Sequence, residues 1–146
     1  MRKLFLLSLV AISTSCFAEE WLCTTEHSAG FKFSENHKKW LSTRFTIETD
    51  KFVIAKSELE GFELEIKYQE SAVVVAACKN GFNKSGYLYC GGFSTFKFSK
   101  NSGRFIMTFD SGYWAVSPEN EFMPSDDKSE SPFMNIGTCA QINTTE

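Results

Sequence analysis

The chain has 146 residues, 42% of them hydrophobic and 23% charged, with a formal net charge of -3. Mild acidity argues against a general nucleic-acid binder. Fifteen phenylalanines, mostly in short alternating runs, argue for half-buried strands and against disorder.

The first eighteen residues read as a secretory signal peptide. Arg2 and Lys3 form a positive start, "LFLLSLVAIS" is an apolar run too short to span a bilayer, and Ala18 precedes the acidic Glu19 and Glu20. Cleavage after Ala18 is the expected route, and lipid anchoring at Cys16 is the alternative. The expected location is periplasmic or secreted, with no transmembrane segment. Loss of Arg2 and Lys3 would take the formal charge from -3 to -5. Residues 19–146 have the length of one domain.

Along that domain the dominant period is two. "FKFSENHKKW" (Phe31–Trp40) reads as an amphipathic strand, a polar turn and an aromatic that begins the return strand. "RFTIETDKFVIAK" reads as two strands around "ETDK". "FELEIKYQ" puts Phe62, Leu64, Ile66 and Tyr68 on one face, with Glu63 and Glu65 on the wet one. "SAVVVAAC" is apolar on both sides, which predicts a central, doubly covered strand. "KNGFNKSG" is a turn, and "YLYCGGFSTFKF" a strand bent at Gly91-Gly92. "FKFSKNSGRF" (Phe96–Phe105) repeats the hairpin recipe of Phe31–Trp40, with "RFIMTF" as its return. "SGYWAV" reads as a short strand with one ring of Tyr113 and Trp114 inward and the other outward. Residues 117–132 hold all three prolines and read as an exposed acidic loop. "FMNIGTCAQI" is the closing strand. The expected fold is all-β: a single-domain antiparallel β-sandwich or small β-barrel with two disulfides.

Setting Cys16 aside leaves Cys23, Cys78, Cys90 and Cys139, and four cysteines allow three connectivities. Cys78–Cys90 flanks a hairpin and Cys23–Cys139 ties the first strand to the last, so that pairing is favoured. No pair is spaced for CxxC redox chemistry.

The chemical inventory is thin. There are two histidines, His27 and His37, and no zinc, phosphate-loop, EF-hand or nucleophile-elbow motif. Asp126 and Asp127 lack the ligand spacing of a calcium loop. No metal, cofactor or catalytic residue is assigned. An enzyme working through Glu63 and Glu65 is the reading these residues support least, because they alternate with a hydrophobic face.

Charge is unevenly placed. The two FKFS hairpins, Phe31–Phe45 and Phe96–Phe109, each carry +3, while the mature remainder carries -11. Lying side by side, they would form one basic patch able to steer an anionic partner. The candidate binding residues are Lys32, Lys38, Lys39, Lys97, Lys100 and Arg104, with Trp40, Tyr113 and Trp114 as aromatic anchors. The expected role is a non-enzymatic interaction module for an unknown protein or an anionic envelope component.

The order Cys23, "SAGFKF", Trp40, "CGGFSTFKFSKNSGRF", "SGYW" and "SPFMNIGTC" resembles a group of short secreted proteins of Gram-negative bacteria with no assigned activity. Ser111-Gly112-Tyr113 also looks like the segment near the inhibitory loop of periplasmic C-type lysozyme inhibitors, which are small disulfide-linked β-barrels. That resemblance implies inhibition of a secreted hydrolase through the Tyr113 region as an alternative. A small apolar ligand inside a Phe-rich barrel is a third.

Overall fold

The computed structural model describes residues 19–47, 51–71, 73–114 and 129–142. The segment expected to be a signal peptide and most of the segment expected to be an acidic loop, residues 117–132, lie outside these residues. Among the described residues nine strands run in chain order: β1 (Glu20–Ser34), β2 (Lys39–Arg44), β3 (Lys51–Lys56), β4 (Leu64–Tyr68), β5 (Val74–Cys78), β6 (Tyr87–Cys90), β7 (Thr95–Ser99), β8 (Arg104–Phe109) and β9 (Phe133–Ile142). One helical turn, α1 (Ser111–Trp114), follows β8. No described helix is long and apolar enough to cross a membrane.

The strands form one antiparallel sheet in the order β5-β4-β3-β1-β9-β8-β7-β6, with β2 paired to β1 off that path. The two ends of the path meet. Ala77 and Gly91 exchange backbone hydrogen bonds at 2.7 and 3.0 Å, and Ser94 N–H donates to the Val75 carbonyl at 3.0 Å. The sheet is therefore a nearly closed barrel, which decides between the two architectures expected. Closure removes two sheet edges that would otherwise offer unpaired backbone groups.

β1 organises the rest. It pairs with β9 along most of its length, with β3 over Trp21–Thr24 and with β2 over Ala29–Ser34. Alternating residues turn inward. Phe52 and Ile54, Phe96 and Phe98, Phe105 and Met107 are all buried. The rings of Phe96 and Phe105 stack at 5.1 Å, and Phe52 meets them edge-on at 6.5 and 6.1 Å. Side chains thus occupy the interior, as small barrels require.

Both favoured disulfides are present. Cys23–Cys139 joins directly opposed residues of β1 and β9, and Cys78–Cys90 crosses the seam where the sheet closes. Gly92, with φ +143°, supplies the bend expected after Cys90.

Four local expectations are corrected. β5 is not central: it ends the sheet path, and it is apolar because Val75, Ala76 and Cys78 all enter the core. The strand before "ETDK" starts earlier, at Lys39, because it is the return arm of the first hairpin; residues 45–47 are not strand. Ser111–Trp114 is helical, not a strand. The ladder of β8 ends at Phe109–Phe133, and Asp110-Ser111-Gly112 favours a turn, with Tyr113 N–H bonded to the Asp110 carbonyl at 3.0 Å.

Glu65 is the fourth correction. It is 1% exposed, not on a wet face. The β3–β4 connection folds across it, so that the Ser57 hydroxyl and the Glu58 amide donate to Oε2 at 3.1 and 3.3 Å, and Lys67 Nζ lies 2.6 Å from Oε1. Burial by itself pushes the Glu65 carboxyl up, but the bonds from Lys67, Ser57 and Glu58 outweigh it and hold the group below its ordinary value. The bond to Glu65 likewise raises Lys67. Glu63 accepts the Gly81 amide at 2.7 Å. Both carboxylates hold loops in place.

Candidate functional site

The two FKFS hairpins do not lie side by side. Arg104, at the base of the β7–β8 turn, pairs with Thr138, which pairs with Thr24 of β1. Ser34, at the base of the β1–β2 turn, lies ten residues further along β1. At the rise of a strand, the two turns are about 30 Å apart and at opposite ends of the barrel wall. Lys100 confirms the placement. It pairs with Glu19 at the start of β1, and its ammonium sits 4.0 Å from the Phe82 ring centroid and 5.8 Å from that of Trp21.

The first hairpin separates its cations from its rings. Phe33 faces Trp40 across the ladder, while Lys32 and Lys39 face Leu41 and Ser34. Strand alternation therefore puts Lys32 and Lys39 on the face opposite Phe33 and Trp40, with Lys38 in the turn. The rings do assemble: Phe33 meets Trp40 at 5.7 Å, and Trp40 meets Tyr113 at 5.6 Å. Tyr113 and Trp114 are 57% and 70% exposed, so neither turns inward as expected of one of them. Below this ledge, Phe31, Arg44, Phe109, Asp110, Phe133 and Met134 contribute to an apolar groove of about 780 Å³. Arg44 and Asp110 there carry opposite charges.

The second hairpin brings cations and rings onto one face. Across the outer surface, Tyr87 pairs with Ser99 and Ser99 with Arg104. In the next row Tyr89, Lys97, Ile106 and Ile136 are successive neighbours. Tyr87 and Tyr89 are exposed, with ring centroids 6.5 Å apart. Tyr87, Tyr89, Lys97, Ser99, Arg104 and Ile106 line a shallow groove of about 340 Å³. The acid–base pairs within 4 Å among the described residues are Lys67–Glu65 and Lys100–Glu19, so Lys97 and Arg104 stand without an acidic partner there.

Tyr87 and Tyr89 were missed as candidates, although "YLYC" contains the signal. Cys90 points to the core through its disulfide, so alternation sends both tyrosines outward. Arg44, one of the cations of the first hairpin, pairs with Ala29, which puts it on the ring-bearing face. Among the described residues no group of three or more His, Cys, Asp or Glu could hold a metal ion. Asp126 and Asp127 lie outside the described residues.

No protein-family profile, curated protein or solved structure matches this chain. The two disulfides are consistent with an oxidising, extracytoplasmic location.

Proposed function

We propose that the protein is an exported, non-catalytic binding module that docks an anionic partner of the periplasm or cell envelope on the outer face of β6–β8. One observation carries this reading: among the described residues Lys97 and Arg104 have no acidic partner, and they share an exposed face with Tyr87 and Tyr89. Unpaired cations beside rigid rings combine electrostatic steering with a low-entropy contact surface. The test is retention on an immobilised polyanion. Reversing Lys97 and Arg104 to Glu should abolish retention, and reversing Lys38 and Lys39 should leave most of it. The opposite pattern would move the site to the first hairpin and sink this assignment.

A second reading is inhibition of a secreted hydrolase through α1. It is favoured by the exposure of Tyr113 and Trp114 and by the bracing of Tyr113 on Trp40. It predicts a stoichiometric complex with a lysozyme that disappears on Tyr113→Ala.

A further inference from the structure

We infer that the anionic partner of the β6–β8 face is an acidic polysaccharide whose sugar rings stack on Tyr87 and Tyr89 while its carboxylates meet Lys97 and Arg104. The inference rests on the docking reading above and gives it a substrate class. Three features of the groove support it.

The first is the placement of the rings. Tyr87 and Tyr89 project two residues apart from one strand, so a chain laid along β6 meets two aromatic surfaces in succession. The apolar face of a pyranose is the natural complement of such a ring. The second is the position of Lys97. It is the central member of the row Tyr89–Lys97–Ile106, flanked on both sides by apolar contact area. Protein interfaces are depleted of lysine at their cores, because desolvating an ammonium against a protein surface is costly. A polymer carrying one carboxylate per sugar supplies a counter-charge at that point and keeps it wet. The third is the pairing of Arg104 with Ser99 in the adjacent row. A guanidinium fork binds a carboxylate through two parallel bonds, and a neighbouring hydroxyl can serve a sugar hydroxyl.

Single-stranded nucleic acid also uses ring stacking and cations. The net charge of the chain does not distinguish two polyanions, but the extracytoplasmic chemistry of its disulfides favours the sugar polymer.

The experiment is calorimetric titration of the disulfide-bonded protein with polygalacturonate oligomers, dextran, poly-L-glutamate and poly(dT), at low and high salt. Polygalacturonate should bind and dextran should not. Loss of one stacking ring in Tyr89→Ala should weaken polygalacturonate binding about ten-fold. The same variant should leave any weaker binding of polyglutamate unchanged. Tyr89 is an outward side chain, so the variant should keep the thermal midpoint of the parent, which is measured alongside. If polyglutamate binds as well as polygalacturonate and Tyr89→Ala alters neither, anion docking survives and the sugar assignment falls. Tighter binding of poly(dT) than of polygalacturonate overturns the sugar assignment in favour of nucleic acid. If no polyanion binds, both the assignment and the docking reading beneath it fall.

Discussion

The FKFS at Phe31–Ser34 and the FKFS at Phe96–Ser99 run into turns of equal length, closed by equivalent pairs: Ser34 with Lys39, and Ser99 with Arg104. Even the left-handed residue falls at the same place, Lys38 with φ 51° in one turn and Gly103 with φ 67° in the other. Yet Phe96 and Phe98 are buried, while Phe31 is 51% exposed. The second hairpin has neighbours on both sides, β6 and β9, and its inner face lines the core. The first extends past the end of β3's pairing, with β2 attached to β1 alone. Local sequence sets the hairpin, and the strands beside it set whether its phenylalanines become core.

The largest effect should come from truncating the matched phenylalanines. Phe96→Ala should cost about 3–5 kcal/mol, as for a buried ring that leaves a cavity. Phe31→Ala should cost less than about 1 kcal/mol, since much of that ring remains in water. Denaturant midpoints of the two variants measure the contrast, and equal losses would break it. A smaller effect separates the turns. Gly103→Lys copies the first turn into the second and forces a side chain into the left-handed region, at a cost of about 1–2 kcal/mol. The Cβ would also lie 3.4 Å from the Cys139 carbonyl oxygen.

The hairpins, the disulfide pairing and the all-β class were legible because each follows from alternation, turn chemistry or cysteine position. What was not legible depends on the third dimension. The distance between the two turns is set by the antiparallel pairing of β1 and β8 with β9, which no local pattern encodes. Glu65 sits in a correct alternation with Leu64 and Ile66, but its outer side is roofed by the loop carrying Ser57 and Glu58. That roof has a titration signature. The carboxyl titrates below its ordinary value of 4.5, so its stabilising contribution is complete above that value and is lost as pH falls through the lowered one. Among the described residues, neither FKFS hairpin contains a buried carboxylate. Acidification should therefore destabilise the parent more than Glu65→Gln, and hydrogen exchange should loosen first in β4 and leave β7–β8 protected. Equal acid sensitivity in the two proteins would remove Glu65 from that role.

The smallest change is the reverse exchange in the turns. Lys38 holds a left-handed backbone with a Cβ present, which costs free energy that glycine avoids. Glycine also loses more chain entropy on folding, so the two terms partly cancel. Lys38→Gly should raise stability by about 0.5 kcal/mol. The substitution removes a charge as well, so Lys38→Ala separates the contributions: it loses the same charge but keeps the Cβ. A gain in the glycine variant with none in the alanine variant shows that backbone strain distinguishes the two turns. Equal gains would show that crowding of Lys38 with Lys39 is responsible. The matched turns would then differ in charge and not in strain, and Gly103 would tolerate a side chain better than its φ implies.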